Sequence, residues 1–160
     1  MKQLILLRHA KSSWADPNQA DFDRPLNARG ERDAPRMGAF LRDALLKPDY
    51  IVTSPARRAL QTAELLRSAW GKDSPKLLEE PRIYEASTAN LQGVLESHLA
   101  DCDRLMLVGH NPGISSLLSL LTGVQADMPT CSAAVVALRR VDEGMLCGLF
   151  RPKRLWPEAD

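Results

Sequence analysis

Three short apolar runs constrain this chain more than any other feature. They are LILL within residues 3–8, the segment DYIVTS (49–54) and RLMLVG within 104–110. None alternates polar with apolar, so each reads as a strand buried on both faces. Helical patterns separate them. Asn27 is a fair N-cap for a helix to about Leu46, with Met37, Phe40, Leu41, Ala44 and Leu45 on one face. Pro35 inside that span calls for a kink or a later start. The segment 54–70 opens with Ser54 as N-cap and Pro55 as first helical residue, and 111–123 opens with Asn111 and Pro112 in the same way. Residues 88–99 form an amphipathic helical pattern, and 75–85 are extended with a short strand. Residues 15–27, rich in Asp, Pro and Asn, read as a loop. The segments 132–140 and 144–150 read as strands joined by VDEG, a hairpin. The expected fold is α/β: a three-layer sandwich whose mostly parallel central sheet carries helices on both faces and ends in an antiparallel hairpin.

At 160 residues the chain reads as one domain, 1–160. Its net charge of +1 supplies no global field, so neither nucleic acid nor membrane is expected as a partner. The opening apolar run is too short for a signal peptide, and no stretch approaches the ~20 residues of a membrane span. Cys102, Cys131 and Cys147 lack metal-ligand spacing and read as small buried thiols in a reducing cytoplasm. No long apolar surface stripe stands out, which reads as a monomer.

In open α/β sheets ligands bind beyond the carboxyl ends of the strands. Three strand ends here carry polar groups that a buried strand does not need. The first ends in Arg8-His9. The second ends in Ser54-Pro55, with Arg57 and Arg58 in the next helical turn. The third ends in Gly109-His110, followed by Asn111-Pro112-Gly113. If the strands are parallel, all three open on one edge. Two helix N-termini there offer unpaired backbone N–H groups. Arg8 and one or both of Arg57 and Arg58 add forked donors. The set suits a tetrahedral, doubly charged oxyanion such as phosphate. Two histidines facing it can supply a nucleophile and a proton-capable donor. The neighbouring cations are expected to lower the nucleophile's pKa and keep its attacking nitrogen unprotonated.

These motifs resemble the histidine phosphatase superfamily, of the phosphoglycerate mutase-like fold, and within it the SixA-type phosphohistidine phosphatases. LLRHAKSSW matches the family's Arg-His-Gly opening with Ala10 in place of Gly. SPARRALQT matches its Ser-x-x-x-Arg-Ala-x-x-Thr pattern through Ser54, Arg58, Ala59 and Thr62, a register that selects Arg58 over Arg57. LMLVGHNPG places the second family histidine at His110, and DFDRPLNARGERDAPRMG (21–38) is similar to the Arg-Pro-Leu-x-x-Arg-Gly stretch of the SixA-like branch. Two positions depart from the commoner pattern: Lys11 stands where many relatives have Glu, and Ala15 where many have a phosphate-contacting Asn.

The resemblance implies that His9 attacks phosphorus and is transiently phosphorylated, with Arg8, Arg58 and His110 binding the phosphoryl oxygens. It implies no cofactor and no metal. Glu85 is the candidate general acid; otherwise it is a helix-terminus or solvated carboxylate. His98, near the end of its helix, is expected on the surface. The expected substrate is phosphohistidine on a protein, such as a histidine phosphotransfer protein. The alternatives are a broad small-molecule phosphomonoesterase and a catalytically silent phosphate-binding module.

Overall fold

The computed structural model describes residues 1–157. Six strands form one sheet: β1 (Lys2–Arg8), β2 (Tyr50–Thr53), β3 (Lys76–Glu79), β4 (Arg104–Gly109), β5 (Ala133–Arg140) and β6 (Glu143–Phe150). Their spatial order is β3-β2-β4-β1-β5-β6. The first four are mutually parallel, β5 runs antiparallel to β1, and β6 is the second arm of the hairpin.

The principal helices are α1 (Ala28–Asp43), α2 (Arg57–Arg67), α3 (Thr88–His98) and α4 (Gly113–Thr122), with a short α5 at Pro152–Leu155. The apolar runs divide their side chains by turns between two cores, because successive strand residues point to opposite faces. Leu4, Leu6, Leu105 and Leu107 join α3 and α4 on one side. Ile5, Leu7, Met106 and Val108 join α1 and α2 on the other. All eight are wholly inaccessible to solvent. Burying a side chain of this size contributes about 1.5–3 kcal/mol. The expected three-layer sandwich is therefore the observed one.

The helix boundaries differ from the sequence reading in three places. Asn27 does cap α1, its side chain accepting the Gly30 N–H at 2.9 Å, and the helix then runs through Pro35. It does not reach Leu46. Leu45 takes a left-handed conformation (φ +61°), and the Leu46 N–H returns to the Leu41 carbonyl at 2.9 Å. This bond satisfies an orphan carbonyl and ends the helix, which leaves Leu45 exposed rather than on the buried face. Ser54 and Asn111 are not N-caps. Ala56 holds the cap position of α2 in an extended conformation, and α4 starts at Gly113. Ser54 Oγ meets His110, as described below, whereas Asn111 Oδ1 still accepts the Ser115 N–H in the first turn of α4 at 3.1 Å while its Nδ2 donates to the Met128 carbonyl at 3.1 Å. Cys102 and Cys131 are buried, but Cys147 lies exposed on the edge strand β6.

One close approach fixes the loop after β1. The Lys11 carbonyl lies where a Cβ on residue 30 would sit, 2.2 Å away, and it also accepts the Asn27 N–H at 3.0 Å. Only glycine fits at position 30. The start of α1 is thereby clamped to the segment carrying His9. Among the described residues, no helix is long and apolar enough to cross a membrane.

Candidate active site

The chain reverses its direction of travel across the sheet between β1 and β4. These strands are neighbours, with Arg8 opposite Gly109. The helix following β1 packs on one face and the helix following β4 on the other, so a crevice opens beyond their carboxyl ends. His9 and His110 are the first residues past those ends. The His9 N–H donates to the Gly109 carbonyl at 3.0 Å. The two imidazole centroids are 5.1 Å apart, with the rings tilted by 55°. From the far side, the N–H of Cys131 (φ +63°) meets the carbonyls of both Arg8 and His9 at 3.0 Å.

His9 is oriented by its own chain. Its Nδ1 lies 2.7 Å from the Ala10 carbonyl oxygen. A carbonyl can only accept, so Nδ1 carries the proton and Nε2 keeps its lone pair. Burial pushes the His9 pKa down to about 3; the hydrogen bond to Ala10 opposes this, and His110, Arg58 and Arg8 add to the fall. The sequence reading assigned the effect to cations. The larger cause is removal of the ring from water, with the cations reinforcing it.

Arg8, Arg58 and His110 surround that ring with unspent donors. Arg8 gives one terminal N–H to the Met128 carbonyl at 3.0 Å. Arg58, on the first turn of α2, gives one to the Asp21 carbonyl at 2.7 Å and another to Asp21 Oδ2 at 3.1 Å. The Nε atoms of both arginines and Nδ1 of His110 are buried without a hydrogen-bond partner. Buried polar groups are rarely left so, and three donors on the residues nearest one nucleophile-like ring form a set suited to an anion. His110 Nε2 sits 2.8 Å from Ser54 Oγ, which also accepts the Ala56 N–H at 3.2 Å. The hydroxyl has a proton to give Nε2, and in that tautomer Nδ1 is a donor. Burial, then Arg58, pushes His110 down to about 4, against the pull of Asp21. Arg57, the neighbour of Arg58, points into solvent.

The sequence reading did not single out the residues that brace this set. Asp21, in the 15–27 loop, holds Arg58 and accepts the Tyr84 hydroxyl at 2.8 Å. Tyr84 in turn stands edge-on to His110, with centroids 5.6 Å apart. Arg24 is buried, donating to Asp21 Oδ1 at 3.2 Å and Ser12 Oγ at 2.8 Å, with its guanidinium 3.5 Å from the centre of the exposed Trp14 ring. The one available signal was DFDRPL, where charge is dense for a loop.

Residues 4–104 match the model of the histidine phosphatase superfamily (branch 1). The chain belongs to the histidine phosphatase superfamily. An uncharacterised chloroplast protein of Arabidopsis thaliana is 33% identical over 145 residues, covering 84% of this chain and 66% of that protein. The chain thus spans about two thirds of that relative's length. Among solved structures, a protein assigned as the phosphohistidine phosphatase SixA of Agrobacterium tumefaciens superposes with a TM-score of 0.84 at 28% identity, over 94% of this chain and 98% of that one. The protein histidine phosphatase SixA complexed with tungstate superposes at 0.85, over 96% and 99%, and at 19% identity shares the fold.

Against the pattern of this superfamily, the remaining candidates fall as follows. Glu85 is exposed and left-handed (φ +52°), a strained conformation for a non-glycine residue. It lines a cleft of about 260 Å³ together with His110, Ile83, Ala86 and Gly113. It therefore reaches the mouth of the site and acts on Tyr84, whose hydroxyl burial, Asp21 and Glu85 together push up to about 12. His98 is half-buried rather than on the surface, with Nε2 3.3 Å from Glu80 Oε2. Among the described residues, no group of three His, Cys, Asp or Glu side chains is placed to hold a metal ion.

Proposed function

We propose that the protein is a phosphatase that hydrolyses phosphohistidine on a protein substrate, through a covalent phosphohistidine on His9. The observation that carries this reading is the ring of three buried, unpartnered donors on Arg8, Arg58 and His110 around a neutral His9. His9 Nε2 attacks phosphorus as the bond to the leaving nitrogen breaks. Charge on the equatorial oxygens is met by Arg8, Arg58 and His110. Water then attacks the phosphorylated His9, yields inorganic phosphate and restores the ring. The scheme calls on no cofactor and no metal ion.

Leaving-group chemistry supports the phosphoramidate. An alkyl ester departs as an alkoxide and needs a placed acid. An imidazole is protonated near ~6.5 and departs far more easily. The likeness to the Agrobacterium SixA protein over nearly the whole chain points the same way. The partner would be a phosphorylated protein of the histidine phosphotransfer kind, met by a monomeric enzyme in the cytoplasm. One observation favours a second reading, a broad small-molecule phosphomonoesterase: Glu85 shares the cleft with His110, where an acid for an alkoxide would stand. A silent phosphate-binding module would need the arginines but not a neutral, oriented His9.

The test is to incubate the protein with a labelled phosphodonor and quench. An acid-labile, alkali-stable label that vanishes in His9→Ala is expected. Wild-type protein with neither label nor turnover overturns the reading.

A further inference from the structure

The floor of the site is cationic, yet its solvent side carries a fixed carboxylate. The Asp21 side chain is 51% exposed, whereas the Arg58 side chain it binds is 7% exposed. The carboxylate therefore caps the guanidinium from the outside. It is held there from three directions: by Arg58, by the Tyr84 hydroxyl and by Arg24. Tyr84 carries it across to His110, since that ring stands edge-on to the imidazole. Phe22 packs edge-on against Tyr84 at 5.1 Å and anchors the same turn. Burial works against ionisation, but the Tyr84 hydrogen bond and the Arg58 charge outweigh it and hold the Asp21 carboxyl below its ordinary value.

Charge balance gives this carboxylate a consequence. Three guanidinium groups, Arg8, Arg24 and Arg58, and the Asp21 carboxylate all act on His110; Arg24 and Arg58 pair with Asp21, and the field of Asp127 acts on Arg8. A doubly charged phosphoryl group consumes the remaining positive charge. Within this set a second anion on the substrate would find no further buried cation, and on the solvent side it would meet the half-exposed Asp21 carboxylate. A substrate whose remainder is protonated finds an acceptor there.

We propose that Asp21 is a specificity-determining residue that selects phosphoryl donors whose leaving portion is cationic and rejects those carrying a second anionic group. The inference rests on the phosphoryl-site reading above and deepens it. It fits a phosphorylated imidazole, which leaves with a proton, and it disfavours phosphorylated carboxylic acids and bisphosphates.

The test uses three non-hydrolysable ligands: phenylphosphonate, 4-carboxyphenylphosphonate and 4-(aminomethyl)phenylphosphonate. Their Kd values are measured by calorimetry on the full chain and on Asp21→Asn. In the wild type the aminomethyl ligand is expected to bind about tenfold tighter than the carboxy ligand, and in Asp21→Asn the ratio is expected to fall below about threefold. Loss of fold or of Arg58 orientation would weaken all three ligands alike and leave the ratio unmoved, so only a charge role changes it. Binding of all three with a ratio equal in both proteins overturns the selectivity role while leaving the phosphoryl site standing. Failure of wild-type protein to bind any of them overturns both.

Discussion

Thr62 Oγ1 accepts the backbone N–H of Ala10 at 3.0 Å, joining α2 to the residue that follows His9. The same hydroxyl donates to the Arg58 carbonyl at 2.7 Å. One buried side chain thus fixes the spacing between the ring that would attack phosphorus and the arginine that would bind it.

Thr62→Val keeps the shape and removes both bonds. It leaves the buried Ala10 N–H without an acceptor, which costs about 2 kcal/mol, or roughly 4–8 °C in Tm. Phosphatase kcat is expected to fall with it, and Thr62→Ser to restore both. Thermal melts and steady-state kinetics on the two variants check this; a Val variant as stable as the wild type would remove the bridge from the account.

Ser54→Ala deprives His110 Nε2 of its partner at 2.8 Å. The ring is then free to choose its tautomer, and Nδ1 is no longer held as a donor. The expected loss in kcat is about tenfold, smaller than the 10²–10³-fold that removal of a transition-state donor costs, which is the expectation for His110→Ala. Equal losses in the two variants would mean that Ser54 does more than orient the ring.

The two site histidines also make stability depend on pH. Their folded pKa values, about 3 for His9 and about 4 for His110, lie below the ~6.5 of an unfolded chain. Between those limits the unfolded state binds protons that the folded state does not, so stability rises with pH. The contribution is complete above ~6.5 and is lost as pH falls towards 4 and then 3. Urea unfolding at pH 7 and pH 5 is expected to show a lower midpoint at pH 5. The drop should shrink in a His9→Gln, His110→Gln double variant. An undiminished drop in that variant would place the proton uptake elsewhere.

Glu85→Gln separates the two catalytic readings. With an imidazole leaving group, kcat/KM on a phosphohistidine protein is expected to change by less than about threefold, because little proton donation is needed. A loss of about 10²-fold on an alkyl phosphate, in an enzyme that turns such esters over well, would favour the phosphomonoesterase instead. Measuring both substrates on both proteins decides between them.

The fold was legible because its signals are local. The runs at 4–7 and 105–108 are apolar on both faces, and their termini place His9 and His110 side by side once the strands are parallel. Ser54 was misread because an N-cap and a tertiary partner use the same oxygen, and Asn111 because its oxygen serves the first turn of α4 from one position before the cap. Ser54 Oγ serves His110, and Asn111 bridges Ser115 and the Met128 carbonyl. The roles of Asp21 and Arg24 were not legible, although the likeness of their stretch to the SixA-like branch was. Their loop has no periodicity, and the partners of Asp21, Arg58 and Tyr84, lie 37 and 63 residues away in the chain. Only the folded loop shows that these charges face inward.

The placement of β4 between β1 and β2 has a consequence for how the protein acquires its ligand affinity. β4 enters the middle of the sheet although it is the fourth parallel strand to be synthesised. Until it is seated, His110 has no place beside His9, and the gap that receives it separates the two halves of the sheet. The proposed phosphate affinity would thus belong to the completed sheet, and a half-assembled chain would lack it. By mass action an oxyanion that bound this pocket would draw the whole chain towards its folded form, stabilising it by RT ln(1 + [L]/Kd). Inorganic phosphate, the product of the proposed reaction, would then also guard the enzyme against unfolding.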